Sequence, residues 1–355
     1  MMKTEQKEKI VNTMEKSFRK QVQKDENIKS ACLLVHSDTH NIHLNVNEGL
    51  EDPNQPVYMA SVGKIFTSVI TSMLYEQKEL SFEDPLTDYL DEALVNDLHV
   101  YKGINYTNEI KIKHLLNHTS GLSDNFRPLL EKVLDDPNYK ISPEEAITWT
   151  KQHTPPHSGP GTNFLYTDTN YHLLGLIIEK ITNLPFHEVL NHYIFKPLAM
   201  QQSSMLQYSQ PVNKNTKKVA PFYCEKTNLA DHEGYGGIDY AGGGVVSTGE
   251  DLLLFMKALT SYQLIKKETL EIMMKDKVKY GLGIDYGYGI MQFKPVPLLM
   301  PKKFSVWGHA GATGAYMFYH PKLKAYVIGT FNDFSYERKG VRFMLLNVIN
   351  NLAKL

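Results

Sequence analysis

Apolar positions recur along this chain with two periods, and the alternation between them sets out its organisation. From Ile65 on, the pairs Ile65/Phe66, Val69/Ile70 and Met73/Leu74 repeat every four residues, which is one face of a buried helix ending near Leu80. Ahead of it, 31–36 and 42–46 are apolar, β-prone runs separated by the polar turn 37–41, the pattern of an antiparallel hairpin. From Ser81 to about Lys218 the signals are mostly helical. Ser142-Pro143-Glu144-Glu145 combines a serine cap, a first-turn proline and a third-position glutamate, and 169–181 carries Leu173, Leu174, Ile177, Ile178 and Ile181 on one stripe. Strand character returns late, in 304–307, 315–319 and 325–329. A final helix presents Val341, Met344, Leu345, Val348, Ile349 and Leu352. The pattern predicts a helical segment over 1–30, amphipathic around Ile10 to Val22, and then a single unit. That unit has an α/β lobe drawn from about 31–80 and 240–355, with a helical lobe inserted over about 81–239.

Composition narrows the class of partner. The 355 residues suffice for a large core, and 42% hydrophobic with 11% aromatic residues is ordinary for a globular protein. Lys+Arg 38 against Asp+Glu 39 gives a net charge of -1, with no basic tail or patch for nucleic acid. Cys32 and Cys224 form no metal or redox spacing. No apolar run is long enough to span a bilayer or to serve as the core of a secretion signal, so the expectation is a cytoplasmic protein, or an extracytoplasmic one if a leader has been trimmed.

Candidate chemistry begins at Ser61-Val62-Gly63-Lys64, at the mouth of the periodic run. A serine at a helix start meets free backbone N–H groups and the positive dipole end, and a lysine three residues on can bring its amine to the hydroxyl. A serine beside an amine is one way to activate an alcohol nucleophile, although a capping serine with a solvated lysine leaves the same letters. Tyr166 lies in a loop just before a helix, placed to point into a cleft or to pack in a corner. Trp307-Gly308-His309-Ala310-Gly311-Ala312 is a glycine-punctuated strand end that permits close backbone approach. Other signals fail: His187-Glu188 with His192 is one residue too long for a zinc helix motif, Gly281/Gly283/Gly287 misses the dinucleotide spacing, and no G-x-S-x-G elbow exists. His118 and Ser120 read as turn formers.

In this order, Ser61-x-x-Lys64, Tyr166-Thr167-Asp168 and His309-Ala310-Gly311 resemble the three motifs of the penicillin-recognising serine hydrolases. The similarity points to the branch of class C β-lactamases, D-Ala-D-Ala carboxypeptidases and family VIII esterases. Segments 80–86, 115–122 and 241–248 resemble further family segments, so the similarity runs from about residue 31 to the C-terminus. The resemblance implies an α+β fold with an antiparallel sheet flanked by helices plus an inserted all-α lobe. It also implies a small-molecule or peptide substrate, no cofactor and no metal; the oligomeric state stays open. Carried over, Ser61 is the nucleophile, and Lys64 and Tyr166 take its proton. The N–H groups of Ser61 and Ala312 form an oxyanion hole, each donor contributing about 3–4 kcal/mol in comparable hydrolases. His309, Gly311 and Asp168 complete the catalytic and binding set.

Two positions depart from the pattern. Asp168 stands where asparagine is usual: ionised, it holds Lys64 charged; protonated, it mimics the amide. His309 stands where class C β-lactamases have lysine, and histidine is cationic only below roughly pH 6.5. The sequence therefore predicts an acyl-enzyme hydrolase of small esters, amides or D-amino-acid peptides ahead of a true β-lactamase. The alternative from another class is an inactive acyl-binding or scaffold protein. The cleft walls are expected from loops such as 206–218 and 292–303, with Tyr288 and Tyr316 either in the pocket or in the core.

Overall fold

The computed structural model describes residues 2–355. Its centre is an eight-stranded sheet built from both ends of the chain: β1 (Ala31–Ser37), β2 (Ile42–Glu48), β3 (Val278–Gly281), β4 (Ile284–Tyr286), β5 (Met291–Phe293), β6 (Trp307–Gly311), β7 (Ala315–His320) and β8 (Ala325–Thr330). The spatial order is β3-β4-β5-β6-β7-β8-β1-β2, with every neighbouring pair antiparallel. Thus β1 bridges the N-terminal hairpin to the late strands, with Leu34 opposite both Asn45 and Ile328.

Both faces of the sheet are covered. Alternation along β1 sends Cys32 and Leu34 into one core and Ala31, Leu33 and Val35 into the other. The second core is closed by α1 (Met2–Gln23), which buries Ile10, Met14, Phe18 and Val22 at four-residue spacing, and by the C-terminal helical run 337–352 with Phe343, Met344, Val348 and Leu352. Fully burying a phenylalanine such as Phe18 makes its truncation to alanine cost about 3–5 kcal/mol. The first core lies under α2 (Gly63–Glu76), α3 (Thr169–Thr182) and the helix Gly249–Thr260, and includes Ile65, Phe66, Val69, Ile70, Leu173, Leu174 and Ile177. The serine cap at 142 forms as the spacing predicts: Glu145 N–H donates to Ser142 Oγ at 3.2 Å while Ser142 N–H donates to Glu145 Oε2 at 2.7 Å.

Two element boundaries differ from the sequence expectation. Helix α2 stops at Glu76 rather than near Leu80, because Lys78 turns left-handed (φ 64°) and the amides of 77–79 fold back onto the carbonyls of Met73, Tyr75 and Leu74. The strand expected over 304–307 begins at Trp307. Phe304 closes a short 3₁₀ turn and plugs the second core instead of pairing, so His309, Ala310 and Gly311 lie inside β6.

Candidate active site

Ser61 sits in a 3₁₀ turn, Ala60–Val62, that leads directly into α2, one step outside the α-helix proper. Ala60 is left-handed (φ 49°), which swings the turn toward β6. That approach requires Gly311: a Cβ there would lie 2.6 Å from the Met59 carbonyl oxygen and 2.8 Å from the Ala60 Cβ.

Lys64 is fully buried, and its ammonium finds three acceptors for its three protons. It donates to Ser61 Oγ at 3.3 Å, to the Gly242 carbonyl at 2.7 Å, and to Asp168 Oδ1 in a close ion pair. The segment 241–244 thus has a chemical part: its glycine backbone comes close enough to offer Lys64 a carbonyl, and a side chain on Gly242 would strike Asp168. Asp168 immediately precedes α3 but does not cap it; the carboxylate turns to Lys64 instead, and its own N–H is held by Asp124 Oδ1 at 2.8 Å.

Tyr166 lies over Lys64, with Nζ 5.0 Å from its ring centre. Its phenol oxygen is buried and turned toward Ser61, with no hydrogen bond of good geometry. Burial, reinforced by the Asp168 charge, holds the phenol well above its ordinary range, so a standing phenolate is disfavoured.

His309 is also fully buried. Its Nδ1 lies 2.6 Å from the Ala310 carbonyl and its Nε2 2.9 Å from the Tyr286 hydroxyl. Burial, and then Lys64 nearby, lower it to about 3, so it is neutral across the working range and cannot anchor a carboxylate as a cation.

Three surface cavities have similar size, and one of them, about 650 Å³ beside Tyr75 and Tyr89, holds none of the motif residues. Another, about 580 Å³, is lined mainly by residues of 204–219 and holds none of the motif residues, so the loop 206–218 expected to wall the cleft lies elsewhere. The third, about 680 Å³, gathers Ser61, Tyr166, Asp168, Gly311 and Ala312, which selects it by chemistry. His309 and Lys64 lie behind its wall. Its apolar side is Leu282, Ile284, Met291, Phe293 and Val341, so of 292–303 only Phe293 contributes. Tyr288 and Tyr316 are core residues; Tyr288 donates to Asp276 at 2.5 Å.

Sequence reasoning missed the acidic side of this cavity. Asp239 is buried, accepts from the Tyr58 hydroxyl at 2.6 Å, and is pushed up to about 7 by burial and by the Asp168 charge. Asp124 is raised for the same two reasons, in the same order. Neither carries a local sequence signal; the YAGGG stretch following Asp239 was the nearest one. At the rim, Arg127 pairs with Glu337 at 3.0 Å beside Arg338.

Among the described residues no helix is long and apolar enough to cross a membrane. The chain is 26% identical over 303 residues to penicillin-binding protein 4* of Bacillus subtilis, covering 79% of this chain and 62% of that protein. It is 28% identical over 174 residues to protein flp of Staphylococcus aureus, covering 47% and 33%. The chain therefore matches about six-tenths of the first of these relatives and a third of the second. Its fold is shared with D-amino acid amidase from Ochrobactrum anthropi SV3 (TM-score 0.77, 18% identity, 98% and 99% of the two chains). The same holds for the hydrolase EstCE1 (TM-score 0.75, 18% identity, 96% and 98%). A model of the Beta-lactamase family matches residues 23–348, and the chain belongs to that family.

Proposed function

We propose that this chain is a serine hydrolase that works through an acyl-enzyme on Ser61 and acts on small esters, amides or D-amino-acid peptides. The observation that carries the reading is the buried Lys64 amine 3.3 Å from Ser61 Oγ at a cavity that also holds Tyr166. Ser61 Oγ attacks the substrate carbonyl and its proton passes to the Lys64–Tyr166 pair. The tetrahedral oxyanion is met by the N–H groups of Ser61 and Ala312, and collapse expels the leaving group with a returned proton. Water then repeats the cycle on the ester. Because Lys64 rests as a donor to Ser61, turnover needs its proton moved first, and Asp168 is the contacting base that can hold it. Tyr166, with a phenol that resists ionisation, serves as a proton carrier to the leaving group.

The walls bear on the substrate. Asp124 and Asp239 offer carboxyl groups to an amine on the acyl side, while His309 supplies no cation for a carboxylate. This favours amine-bearing amides and esters over β-lactams, in keeping with the D-amino acid amidase that shares the fold. The test is p-nitrophenyl acetate turnover in parent and Ser61→Ala, with D-alanine p-nitroanilide against its N-acetylated form. Turnover abolished in Ser61→Ala and preference for the free amine are expected. Turnover no faster than the uncatalysed rate in the parent would leave an acyl-binding or scaffold protein, and equal catalysed turnover in both proteins would rule out Ser61 as the nucleophile.

A further inference from the structure

His118 and Tyr286 belong to no step above, yet together with His309 they join the second motif to the third. The direction of every hydrogen bond in that connection is fixed by its ends. The Thr167 backbone N–H donates to His118 Nδ1 at 3.2 Å, as does Asn170 Nδ2 at 3.2 Å, so Nδ1 carries no proton and Nε2 must. His118 Nε2 lies 3.2 Å from the Tyr286 hydroxyl oxygen and donates to it. At the far end a carbonyl can only accept, so His309 Nδ1 donates to Ala310 O at 2.6 Å and Nε2 is left as an acceptor. The Tyr286 hydroxyl, 2.9 Å away, donates to it. Both rings are neutral in this arrangement, consistent with the direction in which burial and Lys64 shift each of them.

His118 also brackets Tyr166. Leu165 N–H donates to the His118 carbonyl at 3.0 Å, Thr167 N–H to its ring, and the imidazole packs against the phenol ring at 4.4 Å between centres. His118 reaches this position in a left-handed conformation (φ 59°) that a turn alone does not demand of histidine. The chain then ends on β6, one residue from Gly311 and two from Ala312.

We propose that His118, Tyr286 and His309 are positioning residues: a neutral, one-directional hydrogen-bond chain that fixes Tyr166 relative to the strand carrying Gly311 and Ala312. The catalytic consequence rests on the serine-hydrolase reading; the chain itself does not. Misplacing a catalytic group by about 1 Å can lower the rate by about 10²-fold. Tyr286→Phe keeps the ring and removes the link, so kcat is expected to fall by about 10- to 10²-fold with KM nearly unchanged. His309→Asn is expected to act similarly, and the double variant to be no slower than the worse single one, because the chain is already broken. Nitrogen-15 NMR of the imidazoles between about pH 6 and 8 is expected to find His118 protonated at Nε2 and His309 at Nδ1, both neutral. A cationic ring, or the opposite tautomer in either, would overturn the chain. Unchanged kcat in Tyr286→Phe, or rate losses that multiply in the double variant, would overturn its positioning role with the hydrolase reading intact. No turnover in the parent would instead overturn the hydrolase reading, and the tautomers would still decide the chain.

Discussion

Lys64 and His309 are both basic, both fully buried and both part of the site, and the fold treats them in opposite ways. Lys64 is given three acceptors, one of them the Asp168 carboxylate, so its charge is compensated at every donor. His309 is given a carbonyl and a hydroxyl and faces no carboxylate, so burial lowers it to about 3. Burial penalises a cation, and the two surroundings differ in that a carboxylate is buried beside Lys64 and none contacts His309. The region around Lys64 thus pairs a buried amine with a carboxylate, while the region around His309 surrounds a buried ring with neutral partners only. The cationic third motif suggested by β-lactamases is replaced here by a hydrogen-bonded strut.

Removing the charge from the Lys64 side is expected to have the largest effect. Lys64→Met fills the same space but leaves Asp168 buried without its partner, a loss of about 3–5 kcal/mol. Hydrolysis is expected to drop to background. Combining it with Asp168→Asn should restore much of the melting temperature and none of the activity. Recovery of activity in the double variant would show that Lys64 is structural only.

Asp168→Asn alone sharpens the comparison by making the Lys64 side resemble the His309 side. Without the carboxylate Lys64 loses the base that contacts it, so kcat/KM is expected to fall by about 10²-fold. An unchanged rate would mean that Asp168 takes no part in activating Lys64.

The smallest expected effect is on stability, at Asp239. Its folded value of about 7 is raised above the unfolded range, so its contribution favours folding at low pH and is lost as pH rises through 7. Asp239→Asn should therefore gain in melting temperature relative to the parent between pH 5 and 8. A constant difference over that interval would contradict a buried, titrating carboxyl.

Much of this site was legible in the sequence where the chemistry is local. Ser61 and Lys64 are three residues apart, Tyr166 and Asp168 two, and His309, Gly311 and Ala312 lie on one short stretch, so their order could be matched to the motifs of a known family, and that resemblance picked them out. The β1–β2 hairpin and α3 were legible for the same reason, since period and turn chemistry are local properties. What was hidden is non-local. Tyr286 stands 168 residues from His118, and Asp239 reaches the cavity beside Asp124 from an unrelated segment, so no spacing reveals either. That His309 differs from a permanent cation was legible from the residue type, whereas how far burial without a carboxylate keeps it neutral is a fact of packing.

The central claim is that Ser61 is a nucleophile activated by Lys64, and it is tested most directly by intact-protein mass spectrometry and peptide mapping after brief exposure to a fluorescent penicillin. One covalent adduct, mapped to Ser61 in the parent and absent from Ser61→Ala and Lys64→Met, is the predicted result. Adduct on another residue, or equal labelling of the parent and Ser61→Ala, would contradict it.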